Sequence, residues 1–278
     1  MLVTTIFLSR TATQKTFEMT LEAIASLQKS ISGENLEIIL VESNPDYLTS
    51  GFEYPAQVKV FLPNEPFNFH RFLNIGIQQA QGDYLALCNN DVLFHPQWMN
   101  EILKVSQEHP EIVSFSPSGK WMEQPERDYQ LGYKVMQQIK GWCLVVKKEV
   151  FKTIGLLDET FSFYYADNDY AMTLKYYNLK HALVYRSYVE HLEKPSTFNR
   201  TQNMNVRAAM QQKYSLPDYL AQEQYLYVFG SESNMNDFLK FHNKWGSPKV
   251  LYRKNRIADQ LIKYKLGFLN RLFLKLKF

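Results

Sequence analysis

The sequence predicts an α/β protein: a mostly parallel central sheet with helices on both faces, followed by a C-terminal helical extension. Three observations lead there. Short apolar runs alternate with segments of helical period as far as Gly155, the pattern of consecutive βαβ units. The apolar run from Tyr84 to Cys88 stops abruptly at Asn89, Asn90 and Asp91. Polar residues crowded at a strand end suit an open α/β sheet, whose ligands bind outside the carboxyl ends of its strands. The last 30 residues hold nine Lys or Arg against one acid, Asp259, interleaved with apolar residues.

Leu2 to Leu8 reads as the first strand. Phe17, Leu21, Ile24, Leu27 and Ile31 then recur at helical spacing, and Gly33 marks the end of that helix. Leu36 to Val41 and Val58 to Leu62 read as strands, Phe72 to Ala80 as a helix and Tyr84 to Cys88 as the next strand. Pro96, with its φ already near the helical value, opens a helix running to Val105, and Ile112 to Ser116 returns to the sheet. Between Pro117 and Ile139 the period is lost, and Gly119, Pro125 and Gly132 mark a loop or lid near the sheet edge. Trp142 to Val146 restores a strand, Glu149 to Ile154 a short helix, and Gly155 stops it. A helix from Asp169 to Asn178 is followed by two short strands, Ala182 to Tyr185 and Tyr188 to Glu190. The sheet domain is thus expected over residues 1–199, and the extension with its basic amphipathic tail over 200–278.

A chain of 278 residues, 45% hydrophobic and 21% charged, can bury one full core with an appendage. Its 18 Tyr and 19 Phe suit either a thick core or surfaces that grip flat ligands. Cys88 and Cys143 each sit in an apolar run, so both are expected buried in a reducing compartment. No basic leader opens the sequence and no segment approaches the ~20 apolar residues that cross a bilayer, so the expected location is cytoplasmic. The net charge of +3 hides an asymmetry, because residues 249–278 carry +8 and the rest −5. That excludes the basic footprint a nucleic-acid binder spreads along its body. Residues 256–278 have the composition of an interfacial helix for an anionic surface, here the inner face of the plasma membrane. The alternative is a helix docked on the protein with a solvated basic face.

Three groups carry candidate chemistry. Asn89, Asn90 and Asp91 form either an ordinary turn or an oxygen-rich place for a hard divalent ion and its phosphates. Asp167 and Asp169 stand where a polar run meets a helix; one carboxylate suffices to satisfy the helix start, which leaves the other for chemistry. His191 follows a strand and precedes a polar loop, as a structural histidine or a metal ligand does. Trp142, Tyr164 and Tyr165 suit either stacking on a sugar or core packing.

In order and spacing these segments resemble the inverting glycosyltransferases of family 2, with the Rossmann-like fold called GT-A. The resemblance runs from the first strand to about Thr197. It rests on Val41-Glu42-Ser43-Asn44, on Pro66-Phe67-Asn68-Phe69 with Asn74, and on Gly82-Asp83-Tyr84 leading to Asn89-Asn90-Asp91. Further on it rests on Gly141 to Phe151, on Gly155-Leu156-Leu157-Asp158-Glu159, on the acids before the helix, and on a strand ending in His191 with Ser196 and Thr197 downstream. Lys244-Trp245-Gly246 in the extension is also similar to some members.

The resemblance implies a nucleotide-diphosphate sugar as donor, a divalent metal (Mn2+ or Mg2+) held by Asp91 and His191, and Glu42 facing the nucleoside. Asn74, Asn89 and Asn90 join Glu42 and Asp91 in binding the donor. Asp167 is implied as general base. Asn89 replaces the first acid of the family's Asp-x-Asp, and Ala166 replaces the acid that precedes the base, so Asp169 stays open as the alternative base. The implied reaction is inverting transfer to a hydroxyl of a glycan or lipid-linked acceptor in bacterial cell-surface polysaccharide synthesis. Two rival readings are a sugar nucleotidyltransferase, for which Ser9-Arg10-Thr11-Ala12 makes a poor phosphate loop, and a non-catalytic sugar-nucleotide or glycan-binding module at the membrane.

Overall fold

In the computed structural model, residues 1–31, 35–121, 125–192 and 231–276 are described, together with Ala209, Gln212, Lys213 and Val228. The elements are β1 (Val3–Ser9), α1 (Gln14–Ser30), β2 (Leu36–Glu42), β3 (Val58–Phe61), α2 (Phe69–Gln79), β4 (Tyr84–Asn89), β5 (Val92–Phe94) and α3 (Trp98–Glu108). They continue with β6 (Ile112–Ser118), β7 (Tyr129–Leu131), β8 (Cys143–Lys147), α4 (Val150–Ile154), α5 (Ala166–Tyr177) and β9 (Lys180–His191). The C-terminal helices are α6 (Glu232–Trp245), α7 (Pro248–Lys263) and α8 (Asn270–Phe273).

The strands form one nine-stranded sheet in the order β3-β2-β1-β4-β8-β6-β9-β5, with β7 attached to β9. The first four strands pair in parallel, as do β6 and β9, while β8 runs antiparallel between β4 and β6. All seven residues of β1 are buried, Thr4, Thr5 and Ser9 among them, which is why its sequence does not alternate between an apolar and a polar face. One face of the sheet packs Phe7, Cys88 and Phe115 against Ile24 and Leu27 of α1 and Trp98 and Ile102 of α3. The other packs Ile6, Leu8 and Leu87 against Phe72 and Ile77 of α2 and Tyr170 and Leu174 of α5. Thr13 starts α1 with a reciprocal capping box, and Asn68 caps α2 by accepting from Arg71 N.

Several boundaries differ from the sequence reading, each for a local reason. Helix α3 begins at Trp98 rather than Pro96, because Gln97 takes a left-handed φ of 65° that no helix tolerates. Helix α5 begins three residues before Asp169, at Ala166, so both candidate acids lie in its first turn. The two short strands expected after it are one strand, β9. Its pairing with β6 jumps from Pro117↔Val184 to Ser118↔Tyr188, a bulge that reads as a break in the alternation. The expected loop between Pro117 and Ile139 contains β7, and β5 was not anticipated; three residues are too few to show a period. Gly155 does stop α4, with φ of 75°. Gly33 and the 199/200 boundary lie outside the described residues.

The extension packs on α5 through Phe161, Met172, Phe241, Trp245, Leu251 and Ala258. The tail does not form one amphipathic helix. Lys265 adopts φ of 62°, and a short 3-10 turn, Gly267–Leu269, separates α7 from α8. Among the described residues, no helix is long and apolar enough to cross a membrane.

Candidate functional site

β1 and β4 are neighbours in the sheet, yet β1 leads outward to β2 and β4 lies on its other side, so the chain diverges between their carboxyl ends. That divergence leaves a crevice. Ser9, Arg10, Asn89, Asn90 and Asp91 line it with Ser43, and Phe67, Phe69 and Phe163 wall it in, enclosing about 310 Å³. Arg10, Ser43 and Phe67 also line an adjoining cleft of about 680 Å³ that reaches Glu42, Asn44 and Tyr47, so the two form one groove. These volumes are of the size that small-molecule ligands occupy.

Glu42 is buried, with its carboxylate engaged by the loop after β1. Oε1 accepts from Thr11 N at 3.0 Å and Asn44 N at 2.7 Å, and Oε2 accepts from Thr11 Oγ1 at 2.7 Å. These bonds stabilise a buried charge and fix the wall of the larger cleft. Asn90 turns inward, its amide donating to Thr20 Oγ1 at 2.8 Å and Ser9 Oγ at 3.3 Å, which ties the β4 end to β1 and α1. Asn89 N donates to Trp142 O at 3.0 Å.

β5 pairs antiparallel with the end of β9, setting Val92 opposite His191, and Leu192 N donates to Asp91 O at 2.9 Å. This register brings Asp91 Oδ1 to 3.2 Å from His191 Nε2. Two ligands each ~2.1 Å from an octahedral ion stand ~3 Å apart, so the pair fits one divalent cation. An imidazole nitrogen with a carboxylate oxygen is a mixed donor set that manganese accepts more readily than magnesium, which prefers oxygen ligands. Among the described residues no cluster of three or more His, Cys, Asp and Glu converges, so the protein offers two ligands and not a closed cage. Trp142 stacks on the His191 ring, 5.2 Å between centroids at 13°, and fixes its plane.

Gly141, the residue before Trp142, meets Asp167. A Cβ at Gly141 would overlap Oδ1, Oδ2 and Cγ of Asp167, so the carboxyl group lies flat against the Gly141 backbone. Lack of solvent there pushes the Asp167 carboxyl up to about 6. Asp91, His191, Trp142, Gly141 and Asp167 therefore form one chain of contacts.

Asp169 faces elsewhere. Its Oδ1 accepts from Trp245 Nε1 at 2.7 Å and from Lys244 Nζ at 2.7 Å, and Lys244 Nζ also lies 2.7 Å from Asp158 Oδ2. Burial raises its pKa above the usual carboxylate range, against the pull of Lys244 and Trp245. Asn74 is likewise engaged within the fold. Its Nδ2 donates to Leu157 O and Glu159 Oε1, each at 2.9 Å, and its Oδ1 accepts from Leu157 N at 2.9 Å. Tyr165 packs on Phe238 and Phe241, while Tyr164 stays exposed beside Phe163.

Sequence reasoning missed the part the extension takes in the site. Asp237 of α6 accepts from Ser162 Oγ at 2.9 Å and from Phe163 N and Tyr164 N at 3.1 Å each, and Lys240 Nζ donates to Thr160 O at 2.7 Å. Together with Lys244 and Trp245, these bonds hold the segment that leads to Asp167. The similarity of Lys244-Trp245-Gly246 to some family members was the one signal for it. Arg10, weighed only as part of a poor phosphate loop, lines both clefts. A larger cavity of about 890 Å³ lies between α5 and the C-terminal helices; of the predicted site residues only Asp169 lines it, so size does not mark the site.

The family model described as "Glycosyl transferase family 2" matches residues 12–178. "Uncharacterized protein y4gI" of Sinorhizobium fredii (strain NBRC 101917 / NGR234) is 25% identical over 160 residues, which cover 45% of this chain. "O-antigen biosynthesis protein RfbC" of Myxococcus xanthus is 23% identical over 180 residues, which cover 52% of it. The matched stretches span only 18% and 14% of those relatives' own length. A solved structure, "Crystal structure of GalNAc-T7 with UDP, GalNAc and Mn2+", shares the fold with a TM-score of 0.56 at 16% identity, over 87% of this chain and 55% of that one.

Proposed function

The chain belongs to glycosyl transferase family 2, and on that premise we propose that it moves a sugar from a nucleotide-diphosphate donor to a hydroxyl of a glycan or lipid-linked acceptor, with inversion. The observation that carries the reading is that Asp91, which lines a groove reaching Glu42, stands 3.2 Å from His191 behind it. A diphosphate laid along that groove reaches Arg10 and the Asp91–His191 pair while its nucleoside occupies the larger cleft. The Mn2+ and UDP in the GalNAc-T7 structure support the same donor class. The place in surface polysaccharide assembly rests on the RfbC relationship.

Asp91 and His191 would hold Mn2+ or Mg2+, which when bound neutralises charge on the departing diphosphate. Arg10 adds a fixed positive charge beside the same phosphates. Asp167 removes the acceptor proton; a carboxyl near 6 is ionised at neutral pH yet basic enough to accept it, and such a base contributes about 10²–10⁴-fold. Asp169, neutralised by Lys244 and bonded to Trp245, anchors the helix that carries the base and is the weaker candidate for it. Asn74 ties α2 to residues 157–159 and acts on the donor only through that scaffold. The segment from Phe163 to Asp167, held by α6, closes the groove at the acceptor side.

The test is incubation with a panel of nucleotide sugars and Mn2+, measuring released nucleotide. Slow donor hydrolysis that stops with chelator and with Asp91→Asn supports the reading. Conversion of a donor to nucleoside triphosphate and sugar 1-phosphate when pyrophosphate is added instead identifies a nucleotidyltransferase, and no turnover of any donor under added glycan acceptors leaves a binding module.

A further inference from the structure

Helix α7 has two unlike faces. Leu251 and Ala258 are buried against α5, and Asp259, the only acid in residues 249–278, is bound to Lys175 Nζ at 2.7 Å. On the opposite side Lys249, Arg253, Arg256 and Lys263 recur at helical spacing and all four are exposed. The chain then turns through Lys265 and sets large apolar groups in water: Tyr264 is 67% exposed, Phe268 61% and Leu272 72%. Asn270 Nδ2 donates to Lys175 O, and the Arg271 guanidinium lies 4.8 Å from the Tyr177 ring centre. The turn is thus held by α5 and needs no partner to form.

A cationic stripe continuing into an exposed apolar tip asks for negative charge and an apolar phase side by side. A soluble polyanion supplies only the first, and an apolar protein groove only the second. An anionic bilayer supplies both, with headgroups for the stripe and the acyl boundary for the tip. We propose that the outward face of α7, with the turn from Tyr264 to Leu272, docks the protein on an anionic lipid bilayer. Lys249, Arg253, Arg256 and Lys263 lie on the headgroups, and Phe268 and Leu272 enter the boundary. The two faces reconcile the alternatives left open by the sequence: the same helix docks on the body and presents a basic surface. This docking does not depend on the glycosyl-transfer reading.

Truncation of the tail is a poor test, because it removes Leu251 and Ala258 from the core at α5. Substitution on the exposed face is clean. Full-length protein is floated with vesicles of phosphatidylcholine containing phosphatidylglycerol, and with phosphatidylcholine alone. Binding is expected to the mixed vesicles only and to weaken with salt. Each basic residue near such a surface contributes ~1 kcal/mol, a factor of ~5, so Arg253→Gln, Arg256→Gln and Lys263→Gln together weaken binding ~10²-fold. The corresponding lysine variant at 253 and 256 retains it. Phe268→Ser with Leu272→Ser removes the part that survives high salt. Triple-variant binding equal to wild type, equal binding to uncharged vesicles, or binding to heparin without binding to vesicles each overturns the proposal. Thermal melts matched to wild type assign a loss of binding to the surface, and a donor-hydrolysis rate unchanged in the variants separates it from the active groove.

Discussion

Replacing Gly141 with alanine tests whether Asp167 works from where it lies. The new methyl group would overlap the carboxyl of Asp167, with Oδ1, Oδ2 and Cγ all far inside van der Waals contact. Ordinary carbon–oxygen contact is restored only if the carboxyl retreats by ~1 Å or more. Gly141 has no left-handed φ among the residues that do, so alanine adds bulk and no backbone strain. A misplacement of ~1 Å at a catalytic group costs on the order of 10²-fold in rate. The displaced carboxyl also swings toward water and loses the desolvation that lifts it to about 6. Glycosyl transfer measured from pH 5 to 8 should therefore show Gly141→Ala with kcat down ~10²-fold, donor KM near wild type, and an acid limb moved to lower pH. Asp167→Asn in the same assay abolishes the limb. If Asp167→Asn stays active, Asp167 is not the base. If it is dead while Gly141→Ala keeps both rate and pH limb, the base does not act from its place against Gly141.

Asp167 also sets a stability signature. Its folded-state carboxyl keeps a proton up to about 6 while the unfolded chain releases it near 3.8, so the ionised group opposes folding. The penalty is absent below the unfolded value and grows as pH rises through that window; Asp167→Asn should gain in melting temperature over wild type between pH 5 and 7.5, and an equal difference at both pH values would contradict the desolvation of this half-buried carboxyl. Asn74→Ala removes three hydrogen bonds to residues 157–159 and should cost about 1–3 kcal/mol in urea unfolding with donor KM unchanged. A selective rise in KM would return Asn74 to the donor site. Trp245→Phe deletes the indole donor to the buried Asp169 and should cost about 1.5–3 kcal/mol, read by the same unfolding. No loss would mean that Lys244 alone satisfies the carboxylate.

The parallel half of the sheet was legible because strands buried on both faces show short, mostly apolar runs, as Ile38 to Val41 of β2 does. Short or bulged strands escaped for the converse reason: β5 and β7 are too brief to show a period, and the bulge in β9 breaks its alternation. The site divides along the same line. Asp91 and His191 were visible as polar residues at strand ends, and one antiparallel pairing, Val92↔His191, brings them together. Asp167 and Asp169 could not be told apart, because residue type does not reveal which carboxylate finds a partner. The partners of Asp169 are Lys244 and Trp245, far along the chain in a helix whose contacts no local pattern encodes. Asn74 was implied for the donor by the resemblance; its amide bonds to the backbone of Leu157, a contact that no local pattern encodes. Gly141 entered only as the head of the Gly141 to Phe151 resemblance, and nothing local tied it to Asp167, since a glycine before a strand is usually a turn. The extension looked like an appendage from its composition, yet Asp237, Lys240, Lys244 and Trp245 bind successive points between Thr160 and Asp169 or Asp158 beside them. A helix that grips the backbone of residues 160–164 would, on the proposed mechanism, help to position the base at Asp167. Changes in α6 should accordingly act through the segment it holds, and so on Phe163, which walls the groove, as well as on the position of Asp167.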